Sequence, residues 1–458
     1  MIAEGVRMKI ALVFLGILGL VVLGLPFAIT GDSSLTGAVQ SFMSFSFTAT
    51  AILLSILTIF LSRSLSDELV NRQIFLVMTK PIARWQYVVG KWLGIVTIDF
   101  IFLAAAGAII YGMVFYIKAT HPPIDDRFDL AELTNEVLVA RHATKYQLPN
   151  FRVSAEAEFD RNLEDGLYDD REGFNKEKEI ARIARKNEAR WRIVPPGNLR
   201  TFQFSNLLVD RSKGHFIQLR YRANVTRYAA DEIFRASWRF GDAYKGATVR
   251  DIPVRHRVDR WHTIRVPSDV VAPDNTLRVV FFNQNPYEGE KQANNIFEFR
   301  KSQDVSVLFI VGSFEWNMVR LLTLMFCKLS FLAAVAVLMT TVFSFPVACL
   351  GSFTVYVLAA GMGFIMEGLD QLSKDYASMF SSPGEFLAQS TVYLLTLTKF
   401  ILPDFSRFDA VESFVNGQNV SLVWVLQAVG EMGMLKTGVV LGLAVLLFHR
   451  REVAEVSV

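Results

Sequence analysis

Glu68, Arg72, Phe75, Thr79, Lys80, Pro81, Arg84 and Lys91 fall within one 24-residue stretch bounded on both sides by long apolar runs. Their chemistry is that of gripping rather than of bond making: opposite charges, one aromatic and a proline stop at helical spacing. Ser66 can cap a helix running to Thr79, Asp67 and Glu68 suit its positive end, and Pro81 ends it. On that helix Val70, Ile74 and Val77 share one arc, while Glu68, Arg72, Phe75 and Thr79 lie roughly opposite. Glu68 and Arg72, four apart, are expected to pair. The plain alternative is an amphipathic helix resting on lipid headgroups, whose basic residues only fix topology.

Three further ionisable residues, Lys328, Glu431 and Lys436, sit inside apolar runs. Charge there is costly and marks a polar pathway or a helix pair, unless the lysines reach the interface along their stems. The histidines show no ligand spacing, so no metal is assigned. No nucleophile, base and orienting group occur together, and there is no GxxxxGK[ST] loop to hold a nucleotide. An enzyme is therefore not expected. Cys327 and Cys349 both fall in apolar runs and imply neither a disulfide framework nor a zinc site.

The elements that must position these residues follow from composition. The 458-residue chain is 52% hydrophobic and 20% charged, a mixture that suggests membrane segments plus a soluble part. Roughly two-thirds of the charges lie between Lys118 and Glu315. Outside that region, six runs approach or exceed the length that crosses a bilayer: Ile10 to Thr30, Val39 to Leu61, Val88 to Ile117, Met318 to Val342, Pro346 to Ile365 and Val429 to Phe448. The first has no convincing cleavage site and reads as a retained anchor. Arg7 and Lys9, Arg63 to Lys91, and Arg450 with Arg451 place both termini and the first long loop on the cytoplasmic side. Six spans then leave residues 118–312 outside. Residues 386–402 are short for a crossing and read as an outer-leaflet re-entrant helix, with a seventh span as the alternative.

Within the charged region, residues 118–193 read as helical and very polar, with many charge pairs three or four apart. Residues 194–312 change texture. "RTFQFSN", "FIQLRYRAN", "RASWRFGD", "WHTIRVP" and "TLRVVFFNQ" alternate with period two between turn residues, which suggests a small antiparallel β-sandwich. The expected fold is thus an α-helical polytopic membrane protein of six transmembrane helices, 1–117 and 313–458, with an inserted extracytoplasmic α+β domain. Trp191, Trp238, Trp261 and Trp316, with Tyr221 and Tyr287, could stack sugars, but a small sandwich needs aromatics for its core.

"TKPIARWQYVVGKWLG", carried by Lys80, Pro81, Arg84, Tyr87, Gly90, Lys91 and Gly94, resembles the loop between spans two and three of the type-2 ABC transporter permease family. "ILPDFSRFD" before the last span and the terminal "FHRREV" are similar to that family too, whereas the large insert and "LVNRQ" at residues 69–73 depart from it. The resemblance implies a coupling helix, about 64–80, that docks on a separate cytoplasmic ATPase. That partner would bind the ATP and Mg, leaving this chain without a cofactor. It further implies an exporter in the bacterial cytoplasmic membrane, paired with a second permease copy or a sister permease. The external domain would meet substrate, a partner or a glycan, and no nucleic acid is expected. Two rivals stay open: a membrane-anchored scaffold acting through the β-sandwich, and a mechanotransmitter that moves the external domain without transport.

Overall fold

A computed structural model describes residues 9–28, 34–71, 83–120, 127–166, 175–209, 216–225, 233–284, 296–300, 304–376 and 403–450. The chain divides into two compact units, Met1–Ala140 with Gly312–Val458, and Arg141–Val311.

The first unit is helical. Helix α1 (Lys9–Ala28) packs on α2 (Leu35–Leu61), which is followed by the short α3 (Arg63–Val70) and by α4 (Arg84–Thr120). After α5 (Arg127–Glu132) and a π turn, Leu133–Val137, the chain leaves the unit. It returns as α8 (Phe314–Val342) and α9 (Phe345–Tyr376), joined by only two residues, as "FSFPV" suggests. Among the described residues, five helical stretches are long and apolar enough to cross a membrane: Leu35–Val70, Arg84–Thr120, Phe314–Val342, Phe345–Met366 and Leu422–Arg450. Their buried faces meet in one core around Phe42, Phe47, Leu103, Phe331 and Phe448.

Local chemistry sets the ends. Ser34 caps α2 by accepting from Gly37 N at 2.9 Å, and the distant Asp129 carboxylate accepts from Leu35 N and Thr36 N at 2.5 and 3.0 Å. A carboxylate on those orphan N–H groups also meets the positive end of the helix dipole. Ser62 closes α2, its hydroxyl donating to Ile59 O at 2.7 Å, and α3 begins at once. This corrects the expected cap: the helix starts at Arg63, not after Ser66, because Leu65 and Ser66 are buried and continue the packing of α2. The last stretch is also irregular. After the short α10 (Val411–Val415), α11 (Leu422–Ala428) passes through a π segment, Val429–Lys436, before α12 (Thr437–Arg450).

The second unit holds α6 (Phe151–Glu164) and α7 (Lys176–Arg192), a helical pair with its own small core of Ala155, Phe159, Ile180 and Ile183. Its strands form two four-stranded sheets, ordered β1-β11-β4-β8 and β3-β9-β6-β7, and a short β2-β10-β5 sheet. The strands are β1 (Val139–Lys145), β2 (Ile193–Val194), β3 (Leu199–Phe204), β4 (Phe216–Arg222), β5 (Asn224–Val225), β6 (Ile233–Phe240), β7 (Arg250–Arg257), β8 (Trp261–Pro267), β9 (Leu277–Asn283), β10 (Phe297–Glu298) and β11 (Val305–Ser313). Register is antiparallel, with Tyr221 opposite His262 and Trp238 opposite Phe281. All five alternating segments are strands. β1 is a correction, since it interrupts the region expected to be helical: its pairing with β11 is a tertiary choice that its own polar sequence does not announce. Trp238 and Tyr221 are fully buried in the aromatic core, while Trp261 is 41% exposed and Trp316 69%.

Candidate functional site

The base of the loop between α3 and α4 is built from both of its ends. Glu68 on α3 is held by the Lys91 ammonium and by the Tyr87 hydroxyl, both from the first two turns of α4. Lys91 also donates to Ser64 Oγ at 3.2 Å, and Lys91 is 6% exposed. Tyr87 in turn stacks on Phe448 of α12, ring centroids 5.7 Å apart, and Arg84 Nη1 donates to His449 O at 2.7 Å. One cluster therefore ties α3, α4 and the end of α12.

This rearranges the expected docking set. Glu68 and Lys91 face inward on one another, so Glu68 has a partner in Lys91, 23 residues on. Arg63 and Asp67 pair instead on the exposed side of α3, at 3.4 Å. Arg72, Phe75, Thr79, Lys80 and Pro81 lie outside the described residues, as does the expected re-entrant helix at 386–402.

The ionisable residues of the apolar runs fall into two places. Lys328 on α8 stands 3.9 Å from Asp409 and lines a cavity of about 320 Å³. Thr48 and Ser55 of α2, Tyr356 of α9 and Ser406 give that cavity further polar groups on a mostly apolar wall. A lone cation on such a wall, with an acid at its rim, can orient a polar head while apolar atoms fill the rest. Glu431 and Lys436 meet each other at 3.2 Å, with Arg407 3.7 Å from Glu431. Their five-residue spacing does not align on an α-helix, but the π segment carrying both brings i and i+5 together. Thr437 Oγ1 donates to Met432 O at 2.7 Å, also five back, and helps hold that wider turn.

The sequence reading missed a buried carboxylate, Asp99 on α4, which is 0% exposed. Thr58 Oγ1 of α2 lies 2.9 Å from its Oδ2. A signal was present, because Asp99 is the one carboxylate in the run from Val88 to Ile117. Comparison with family models, with curated proteins and with solved structures finds no match for this chain.

Proposed function

We propose that this chain is the permease subunit of an ATP-binding-cassette exporter in the bacterial cytoplasmic membrane. Its energy would come from a separate ATPase that docks on the loop between α3 and α4. Six spans, α1 included, put both termini inside and the β-rich unit outside.

The observation that carries the reading is the Glu68 cluster. A partner that pulls on the loop tip displaces α3 and the start of α4 together, because Lys91 and Tyr87 lock them. Through Phe448 and His449 the same pull reaches the last helix. That is a rigid lever, which is what transmission of a domain closure into a helix bundle requires. Glu68 and Lys91 then act as the hinge pin of the coupling element, and Arg72, Phe75, Thr79 and Lys80 as its docking face. The Lys328 cavity is the candidate place for cargo.

Gentle affinity purification of the chain from the membranes of its native host tests this. A P-loop ATPase should co-purify with the permease, and Arg72→Glu combined with Phe75→Ala should release it while leaving the permease folded. If gentle purification yields no associated ATPase, the reading is wrong. In that case the membrane-anchored scaffold takes its place, favoured by a second unit with an aromatic core of its own.

A further inference from the structure

Thr58 has one hydroxyl proton and two close oxygen neighbours. Its Oγ1 lies 2.7 Å from Leu54 O, one turn back on α2, and 2.9 Å from Asp99 Oδ2 on α4. If Asp99 were ionised, both neighbours would be pure acceptors, and one proton could serve them only as a shared three-centre bond, each half weaker than a full one. Two short, fully buried oxygen contacts would then share a single proton. A proton on Asp99 resolves the conflict: the carboxyl donates to Thr58 Oγ1, and Thr58 donates to Leu54 O. Asp99 Oδ1 has no hydrogen-bond partner among the described residues. A carbonyl oxygen bears that far better than half of a carboxylate does.

The charged groups on the surrounding helices are engaged elsewhere. α2 carries no ionisable side chain, and α1 has only Lys9 at its start. On α8, Glu315 meets Tyr111 at 3.4 Å, Arg320 donates to Asn419 at 2.8 Å, and Lys328 turns to Asp409; Cys327, also on α8, is uncharged as a thiol. In the last stretch Glu431 and Lys436 pair, and His449 and Arg450 stand at its far end. On α4 itself Arg84 reaches His449 O, Lys118 lies in the last turn, and Lys91, which holds Glu68, is eight residues or about 12 Å along the axis. The neighbouring contacts to α8 are the Trp92 indole on Ser330 O, at 3.0 Å, and Phe100 edge-on to Phe326.

We infer that Asp99 is a proton-binding site, filled while α2 and α4 are packed and emptied into water when that seam is opened. The step is a simple dissociation, carboxylic acid to carboxylate plus a proton taken by water. The site rests on the packing of α2 against α4 and stands independently of the permease reading.

The test uses the full-length protein in lipid nanodiscs at neutral pH. The infrared difference between wild type and Asp99→Asn should contain the carbonyl band of a protonated carboxylic acid. Only carboxylate bands in that difference would overturn the inference. Asn keeps a donor toward Thr58 but cannot titrate. The unfolding constant of wild type relative to Asp99→Asn should therefore rise tenfold per pH unit above the ordinary carboxyl range. A flat ratio also overturns it. Should Asp99→Asn fail to fold, Thr58→Val replaces it: the protonated-carboxyl band should move to higher frequency, and an unmoved band counts against the site.

Discussion

Glu68 and Lys91 form an ion pair across the base of a loop, with side chains 14% and 8% exposed, and the Tyr87 hydroxyl also donates to the carboxylate. Removing one member strips a nearly buried charge of its opposite charge across the pair, whereas removing both leaves a gap lined by a hydroxyl and a tyrosine. Glu68→Gln or Lys91→Met alone should each cost about 3 kcal/mol, and the double variant clearly less than the sum. Denaturation of the four proteins of that cycle measures the coupling. Strict additivity would show that the pair does not act as a unit.

Asp129 binds two backbone N–H groups at the start of α2 and also the Thr36 hydroxyl. Asp129→Ala removes a cap that Ser34 replaces only in part, so a loss of about 1–2 kcal/mol is expected. Asp129→Asn keeps the acceptor and loses the charge, and should recover roughly half. Thermal midpoints of the two variants separate the hydrogen bond from the dipole.

Apolar runs and period-two segments were legible because each is a local property. Val88 to Ile117 needs only its own hydropathy to be read as a span, and "RASWRFGD" only its own alternation to be read as β6. The site residues were legible as types but not as pairs. Glu68 meets Lys91 because α3 lies against the start of α4, with Leu65 of α3 in the core, and that approach is a tertiary fact that no local spacing announces. β1 was invisible for a similar reason: its strand state comes from β11, far along the chain. Asp99 was visible as a lone charge, but its significance depends on Thr58, 41 residues earlier.

Gly417 has φ +66°, and a Cβ added there would stand 1.8 Å from Glu136 O. Backbone cannot retreat as a side chain does, so Gly417→Ala combines left-handed strain with a clash and should cost about 3 kcal/mol. Gly112, inside α4, has nothing within 4 Å of such a Cβ. Gly112→Ala should instead stabilise by about 0.5–1 kcal/mol through helix propensity. Opposite signs in thermal midpoint are the expected result, and equal losses would refute the close approach at Gly417.

His256 and His262 stack in the β-rich unit with ring centroids 4.2 Å apart and planes 15° from parallel. His262 Nε2 must carry a proton, since it lies 2.7 Å from Arg257 O, and His256 Nδ1 meets the Tyr221 hydroxyl. Burial, and then the nearby His262, push His256 below its ordinary value of 6.5. The folded unit therefore binds fewer protons than the unfolded chain below that pH. Stability from this site is present in full above 6.5 and drains away as the pH falls from there through the lower native value. The thermal midpoint of the β-rich unit, followed by near-ultraviolet dichroism of its buried Trp238, should drop between pH 7.5 and 5. His256→Gln should flatten that drop, because glutamine keeps an acceptor for Tyr221 without gaining charge. Equal slopes for variant and wild type would place the acid sensitivity elsewhere in the unit.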